Sequence, residues 1–451
     1  MADVHVREPG PEDPALVAAA IRPMQRPDRR FWIVAGVAAG FAIVGTIAYA
    51  IQLGTGLSVT GYNDRAFWAT YEATLVTFIG FSYGGALVSA ILRLAGAPWR
   101  GRVSRIAEGT ALATLLVGAL FPIIHLGRPD RLLEIIYRPN FESPIVWDMY
   151  AIFTYILATL ALFGLPLIAD LAIAGDHASV TGRRRRIYRR LSFGWRGLPI
   201  QRRSLERALT IVAILIVPLA VVVHTVLSYA FSLTSRPGWH STIFGPYFVI
   251  GAVYSGVAIV IVTSLVYRHA YGLRDWIDDR VIRNLGYVLV ALGVAYGYAT
   301  FTEITTAGYV GEAADANILY SLILTDYAPA FWAFVAFGLV LPVIVMLVPR
   351  LRTDVGIGLA SACVIVAMLA KRFLIIVPPE LQPLIGIDRA TYTPSPVELA
   401  IVAGGVGGIV LILMVIFRLV PVLSINEIHE LEGGGQASAV VAPTLADGVS
   451  A

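Results

Sequence analysis

Residues 121–148 read FPIIHLGRPDRLLEIIYRPNFESPIVWD, a polar stretch broken by prolines that joins two long apolar segments. His125 stands at its start and Asp148 at its end. A helix of about 20 apolar residues crosses the ~30 Å hydrocarbon core of a membrane, and both flanking segments reach that length. The stretch, which we call the connector, therefore predicts that His125 and Asp148 lie at the ends of consecutive membrane helices.

The composition of the whole chain is typical of a membrane protein. Of its 451 residues, 57% are hydrophobic and 14% are charged, whereas soluble domains carry about 25% charged residues. Backbone groups in lipid need internal hydrogen-bond partners, so the spans must be helices and the predicted fold is all-α and polytopic. The net charge of +4 does not indicate nucleic acid, because the arginines fall in short clusters between apolar segments. We therefore expect the chain to be embedded in the lipid bilayer.

Ten apolar segments are predicted to span the membrane. We expect helices 2 to 5 and helices 6 to 9 to form two four-helix bundles, with helices 1 and 10 outside them. Residues 1–30 would be a cytoplasmic arm, residues 31–420 the membrane domain, and residues 421–451 a cytoplasmic tail that is mobile or held by a neighbouring subunit. The spans are predicted at residues 31–53, 67–94, 103–126, 144–174, 205–233, 244–268, 281–307, 327–348, 355–377 and 396–420.

Arginine clusters predict the orientation of these helices. Basic residues concentrate before helix 1, between helices 2 and 3, and between residues 183 and 203, and such loops face the cytoplasm. Both termini are then cytoplasmic, and the expected location of the chain is the inner membrane of a bacterium. The connector falls on the extracytoplasmic face, although it carries Arg128, Arg131 and Arg138.

His125 and Asp148 are the candidate catalytic residues. An ionisable group at a helix centre costs about 2.5–3.5 kcal/mol, so each one in these spans calls for a partner, a cavity or a function. The helix directions place both side chains at a similar depth, where an imidazole and a carboxylate can take a proton from a hydroxyl. A quinol has two such hydroxyls. In the alternative, His125 caps the carbonyls that end helix 3 and Asp148 interacts with the dipole of helix 4.

The sequence argues against a redox metal bound by this chain. Cys363 is the single cysteine and cannot hold an iron–sulfur cluster, so any such cluster must belong to a partner. A bis-histidine haem needs two histidines at one depth, and His224 lies about 13 Å deeper than His125 at 1.5 Å per residue. We therefore expect no metal and no haem, and we predict His224 to be a packed core residue.

Four further ionisable residues in or beside the spans are candidates for a proton path. They are Glu108, Glu303, Asp326 and Lys371. Salt bridges between helices, or side chains that reach the membrane surface, explain residues near helix ends equally well.

Several strings of the sequence resemble the NrfD or polysulfide-reductase family of membrane subunits. The resemblance is greatest to the quinol-oxidising subunit, ActC, of alternative complex III. It covers helices 2 to 6 and the count of ten helices. The strings are WATYEATLVTFIGFSYGGALVSAIL (68–92), PWRGRVSRIAEG (98–109), FPIIHLGRPDR (121–131), PNFESPIVWDMYAIFTY (139–155) and PGWHSTIFGPYFVIGAVYSG (237–256).

This resemblance implies a membrane subunit that binds menaquinol or another quinone at the extracytoplasmic face. Electrons would pass to a partner iron–sulfur subunit, with a multihaem cytochrome c and a second NrfD-like subunit as further partners. The family's quinone-site histidine and aspartate fall on His125 and Asp148, and its acid on the third helix falls on Glu108. The other residues expected around the quinone are Gly127, Arg128, Pro129, Glu72, Tyr83, His224 and Tyr229.

This chain also departs from the family pattern at two positions. Tyr83 replaces a histidine of the second helix, and Ala230 replaces an aspartate after the fifth-helix motif. The two changes leave His125 and Asp148 in place, but they put a second proton route and the type of complex in doubt.

Two other functions stay open from the sequence. The first is the membrane anchor of a molybdopterin oxidoreductase that reduces polysulfide or a related acceptor, with quinol chemistry at the same His125 and Asp148. A secondary transporter or a structural anchor belongs to a different class. A transporter would have broken helices at matching positions of two halves, for which Pro218 and Pro342 are the candidates.

Overall fold

Ten membrane helices make up most of the structure. The computed structural model describes residues 13–25, 27–383 and 391–431. The prediction of an all-α, ten-helix membrane protein is confirmed, and the described residues contain no β-strand. We number the membrane helices α1 to α10: Arg29–Thr55, Thr70–Leu94, Ser104–His125, Pro144–Asp176, Pro199–Ser232, Phe244–Ala270, Asp279–Val310, Ala328–Leu347, Asp354–Glu380 and Pro396–Leu419.

Shorter helices lie at the membrane surfaces. Four are α-helical: Pro14–Ala20, Glu134–Tyr137, Gly182–Leu191 and Ala313–Ile323. Four are single 3₁₀ turns: Arg22–Met24, Leu57–Val59, Arg100–Arg102 and Pro129–Arg131. We call the membrane face on which α3 ends the His125 side, and the opposite face the Arg105 side. The helix Glu134–Tyr137 belongs to the connector.

Polar residues just outside the apolar runs fix several helix ends. The Asp28 carboxylate accepts the backbone N–H of Phe31 at the start of α1, at 2.8 Å. The Ser395 hydroxyl accepts the N–H of Glu398 at the start of α10, at 3.2 Å. These bonds satisfy donors that the first turn of a helix leaves free. Gly311 ends α7 with a φ of 69°, a left-handed conformation that favours glycine.

Three of the membrane helices bear on the transporter hypothesis. α3 consists of Ser104–Gly118 and Phe121–His125, and α8 contains a π-helical segment, Phe334–Val340, directly before Pro342. α5 continues through Pro218 without interruption. The irregularities fall in the second helix of one bundle and the third helix of the other. The described residues therefore do not have the matching breaks that a transporter of this kind would show.

The helices pack as two rings of four. α2, α3, α4 and α5 close one ring, and α6, α7, α8 and α9 close the other. α1 and α10 pack against each other outside the rings, and α10 also contacts α3. This arrangement agrees with the predicted bundles.

The two bundles join where α2 crosses α6. A Cβ atom built on Gly84 would lie 2.2 Å from the Cα atom of Gly256, so the two backbones touch. One turn away, a Cβ atom on Gly80 would lie 2.6 Å from Nη2 of Arg372, which comes from α9. Small residues permit this close packing, which is a main source of helix association in lipid.

The segment after α10 packs on the Arg105 side of this chain. Residues 422–428 are buried or nearly so. The Val422 N–H donates to the Ala20 carbonyl at 2.9 Å, which joins this segment to the N-terminal arm. The Glu427 carboxylate lies 2.8 Å from Arg93 Nη2 and 2.7 Å from Arg100 Nε. The described part of the predicted tail is therefore held by its own chain.

Replacing Gly84 by Ala should destabilise the protein, because the added methyl group meets the Gly256 backbone. Overpacking of this kind costs about 1–3 kcal/mol. Gly164→Ala on α4 is the matched control, because a Cβ atom there meets nothing within 4 Å. Thermal unfolding in detergent measures both variants. Equal melting temperatures for the two would contradict the close crossing.

The contact of Glu430 with the bundle should weaken as pH rises. Burial and the nearby Glu206 carboxylate raise the pKa of Glu430 from 4.5 to about 7. Its contribution to stability is therefore complete below pH 4.5 and is lost as the pH rises through about 7. Hydrogen exchange of residues 422–430, corrected for intrinsic rates, should be faster at pH 8 than at pH 5. Glu430→Gln should remove this difference in exchange rate. If the variant keeps the full difference, a group other than Glu430 causes it.

Candidate functional site

His125 ends α3 beside a carboxylate from α2. Its Nδ1 atom lies 2.8 Å from Oε1 of Glu72. α2 begins and α3 ends on the same side of the membrane, so the first turn of one meets the last turn of the other. The Gln52 amide of α1 donates to the Ile124 carbonyl at 2.8 Å and fixes this last turn.

The Glu72 carboxylate is held in place from several directions. Its Oε2 atom accepts the Ala69 N–H at 2.8 Å and the Tyr62 hydroxyl at 2.9 Å. It also lies in the first turn of α2, where the helix dipole favours negative charge. Burial and the Glu72 carboxylate raise the pKa of Tyr62 well above its ordinary value, so its hydroxyl keeps the proton that it donates. Glu72 is thus an ordered partner for the His125 imidazole.

Asp148 faces the same cavity as His125 and Glu72. This cavity, which we call the His125 cavity, has a volume of about 210 Å³. Asp148 is 8% exposed, and its Oδ1 atom has no hydrogen-bond partner among the described residues. Glu72, rather than Asp148, is the carboxylate that contacts the imidazole. The Oδ1 atom of Asp148 stays available to a ligand or to water.

Apolar side chains form the walls of the His125 cavity. The connector contributes Leu132 and Ile135, so it is part of the site. Ala230, one of the two departures from the family pattern, also lines the cavity and leaves its α5 wall without a carboxylate. The remaining lining comes from Trp68, Leu75, Val76, Pro122, Leu126, Ile145, Met149, Leu227 and Phe231.

Four other predicted quinone-binding residues do not line this cavity. Gly127 makes the turn after α3 with a φ of 62°. Arg128 makes two hydrogen bonds to Asp130, at 3.0 and 2.9 Å, and both side chains are largely exposed. Pro129 begins the next turn, and Tyr229 lies on α5 between the lining residues Leu227 and Ala230. The first three of these residues shape the connector.

Tyr83 and His224 form a separate buried pair. Tyr83 lies eleven residues beyond Glu72 on α2, about 16 Å along the helix axis. The two ring centroids are 4.8 Å apart, and the Tyr155 ring lies 4.3 Å from that of Tyr83. The Tyr83 hydroxyl and both ring nitrogens of His224 have no hydrogen-bond partner among the described residues. Buried polar atoms of this kind usually bind internal water.

The predicted proton-path residues lie in three different places. On the Arg105 side, Glu108 accepts the Ser89 hydroxyl at 2.7 Å and lies 3.5 Å from Arg105. Arg105 also donates to Asp170 at 2.6 Å, and that carboxylate accepts the Asn426 N–H at 2.9 Å. This buried cluster sets two carboxylates against one guanidinium at the end of the first bundle.

The second bundle holds the other pair of proton-path residues. Lys371 Nζ lies 3.5 Å from Glu303 Oε2. Asp326 precedes α8, between the helix Ala313–Ile323 and the membrane span. The four residues therefore do not line one continuous path.

One group of residues has the donor atoms for a metal ion. The ligand atoms of His240, Glu312 and Asp315 all lie within 4.8 Å of one another on the His125 side. His240 and Glu312 are exposed, and exposed acidic groups commonly come together without binding a metal.

Sequence reasoning named Glu72 but missed its role as the partner of His125. The helix directions place Glu72, His125 and Asp148 at one depth, which was the available signal. Tyr62 was missed altogether, because it lies in the loop before α2 and only the fold brings its hydroxyl to Glu72.

Comparison with known proteins identifies the family. The family model described as Polysulphide reductase, NrfD matches residues 58–383, which hold α2 to α9 and thus both bundles. A chain described as the membrane subunit of a dimethyl sulfoxide reductase of Halobacterium salinarum is 25% identical over 418 residues, covering 87% of this chain and 91% of that one.

Two further relatives cover similar shares of the chain. The Hdr-like menaquinol oxidoreductase integral membrane subunit of Archaeoglobus fulgidus is 25% identical over 415 residues, covering 87% of this chain and 95% of its own. A selenate reductase subunit of Mesobacillus selenatarsenatis is 24% identical over 413 residues, with the same coverage of 87% and 95%. The family model matches well over half of the chain, and the protein therefore belongs to the NrfD polysulphide reductase family.

Proposed function

We propose that this chain is the quinol-binding membrane subunit of a multi-subunit oxidoreductase of the alternative complex III type. The observation that carries the proposal is the contact between His125 and Glu72 on the wall of a cavity that Asp148 also lines. The Archaeoglobus relative is named a menaquinol oxidoreductase subunit, which supports menaquinol or a similar quinone as the substrate.

The residues of the His125 cavity suit the removal of protons from a quinol. Oxidation of one quinol to quinone releases two protons and two electrons. The His125 imidazole accepts one hydroxyl proton, and the Glu72 carboxylate stabilises the imidazolium that forms. Asp148, whose Oδ1 atom has no protein partner among the described residues, accepts the second proton. The electrons pass to an iron–sulfur cluster in a partner subunit, because the single cysteine of this chain cannot hold one.

The cavity has the size and polarity of a head-group site. Its volume of about 210 Å³ is below the ~300–1,000 Å³ of pockets that hold drug-sized ligands, so it suits a quinol ring without its tail. Apolar walls such as Trp68 and Phe231 match the faces of a ring.

The arginine distribution supports an extracytoplasmic position for the His125 side. The helix Gly182–Leu191 has the sequence GRRRRIYRRL and lies on the Arg105 side, which supports a cytoplasmic position for that side. The connector then faces an extracytoplasmic iron–sulfur partner. Ile136, Tyr137 and Phe141 of the connector are between 63% and 77% exposed, and such exposed apolar side chains suit a protein interface. The proposed complex also contains a multihaem cytochrome c and a second NrfD-like subunit.

Proton translocation is a separate part of the proposal. Glu108 is the candidate on the cytoplasmic face, since it lies at the opposite end of the same bundle from the His125 cavity. Tyr83 and His224 lie between the two ends, with polar atoms suited to internal water. Glu303 and Lys371 belong to the second bundle, and Asp326 to a surface loop, so they are outside this route.

A second candidate function keeps the same quinone chemistry in a different complex. One relative is named as a dimethyl sulfoxide reductase membrane subunit and another as a selenate reductase subunit. This chain would then anchor a molybdopterin subunit, and His125 would exchange protons with the quinone in the same way.

His125→Ala should lower quinol-dependent electron transfer by about 10²- to 10⁴-fold, the usual contribution of a general base. Glu72→Gln should lower it as well, because the imidazolium loses its counter-charge. Asp176→Asn is the matched acid-to-amide control, since Asp176 is exposed at the other end of α4. The assay is quinol oxidation by the purified complex, with the presence of every subunit checked on a gel. Full turnover of the His125→Ala complex would contradict the assignment of His125 as the proton acceptor.

The subunits that copurify with this chain should distinguish the two complexes. An alternative complex III type predicts a second NrfD-like subunit and a multihaem cytochrome c, without a molybdopterin subunit. Mass spectrometry of the complex purified through this chain gives the answer. A molybdopterin subunit in stoichiometric amount would establish the second function instead.

A further inference from the structure

The second bundle contains a cavity larger than the His125 cavity. Its volume is about 560 Å³, against about 210 Å³ for the His125 cavity. Ligand pockets commonly measure about 300–1,000 Å³, so this one has room for a ring and part of a tail. It lies between α7, α9 and the short helix Ala313–Ile323, and it opens on the His125 side. We call it the Lys371 cavity.

The inner end of the Lys371 cavity carries a buried charge pair. Lys371 is 3% exposed and lies nine residues before the end of α9, about 13 Å below that end. Its ammonium contacts the Tyr247 and Phe334 rings at 5.6 and 5.9 Å. Its hydrogen bond to Glu303 is long, at 3.5 Å. An ammonium has three N–H donors, so Lys371 has donors left for an oxygen atom at this end of the cavity.

The walls and the mouth restrict the kind of ligand. The walls are mainly aliphatic, with Ile304, Leu322 and Ile375 among them. Glu312 and Asp315 line the mouth. With Glu303 they supply three carboxylates against the one lysine, and this excess of negative charge disfavours an anion such as a lipid phosphate. The cavity therefore suits a neutral molecule with an oxygen-bearing head and an apolar body.

An apolar tail has a route out of the cavity to the membrane. Val310, the last residue of α7, lines the cavity and is also 60% exposed. Tyr309 and Tyr320 nearby are 92% and 59% exposed, as aromatic residues at a membrane interface commonly are. A ligand can therefore lie with its head at Lys371 and its tail in lipid.

We propose that the Lys371 cavity is a second quinone site. One carbonyl oxygen of the quinone ring accepts an N–H bond from Lys371, and the isoprenoid tail leaves past Val310. This inference rests on the proposed function, because that function supplies the quinone as the ligand. No electron or proton transfer is assigned to the site.

Photolabelling of the intact complex in lipid nanodiscs tests the proposal. The probe is an azido-substituted menaquinone analogue with a short alkyl tail, and mass spectrometry locates the labelled peptides. Label is expected in two sets of residues: 68–76 with 145–149 from the His125 cavity, and 302–323 with 371–379 from the Lys371 cavity. Excess unlabelled analogue should suppress both sets, since specific sites saturate and lipid-facing surfaces do not.

A pair of variants makes the test specific to the second cavity. Ala307→Trp places an indole inside the Lys371 cavity and should lower label in the second set at least tenfold, while the first set stays labelled. Val294→Trp adds the same group on the lipid-facing surface of α7, where Val294 is 60% exposed, and should leave both sets unchanged. The saturation experiment on the unmodified complex stands even where Ala307→Trp does not fold.

Three results would overturn the proposal or its basis. Unsaturable or absent label in the second set would overturn the second site. A photoreactive phosphatidylcholine that labels the second set, without competition from quinone, would identify the occupant as a lipid. Absent label in the first set alone would count against the His125 cavity, and thus against the proposed function, while the second set still reports on Lys371.

Discussion

The backbone contact between Gly84 of α2 and Gly256 of α6 is the constraint on which the rest of the structure depends. Each bundle is a ring of four helices, and this crossing joins one helix of each ring. Lipid supplies no hydrophobic driving force between helices, so close packing of small residues has to hold them together. Because both helices begin on the His125 side, the crossing also places the two cavities on the same side of the membrane.

Buried ionisable side chains have different partners at the two ends of the first bundle. On the Arg105 side, Arg105 is enclosed by carboxylates, and removing one member of such a cluster costs about 3–5 kcal/mol. On the His125 side, an imidazole contacts Glu72 at the wall of a cavity. Asp148 keeps an oxygen without a partner among the described residues, at a cost of about 1–3 kcal/mol that a bound hydroxyl or water can offset. The first cluster suits stability, and the second suits exchange of protons.

Much of this architecture could be predicted from the sequence, because the length of each apolar segment and the direction of each helix can be read along the chain. They predicted ten helices and placed His125 and Asp148 at one depth. Which acid contacts His125 depends on the rotation of each helix about its own axis, and the sequence does not specify that rotation. The sequence likewise did not predict the packing of residues 422–428, because their partners are distant in the chain. The Lys371 cavity depends on a short helix, Ala313–Ile323, folded over the second bundle, and no local pattern indicated that position.

The two cavities carry different basic side chains, an imidazole and an ammonium, and this difference bears on their ligands. An imidazole beside a carboxylate accepts a proton, so the His125 cavity favours the hydroxyl of a quinol. A lysine ammonium has donors alone, so Lys371 suits the carbonyl of a quinone, while Glu303 beside it supplies an acceptor. The distinction follows from these two basic side chains, since the walls of both cavities are mainly apolar. The proposed pairing of a quinol site in one bundle with a quinone site in the other rests on this difference between the two basic side chains.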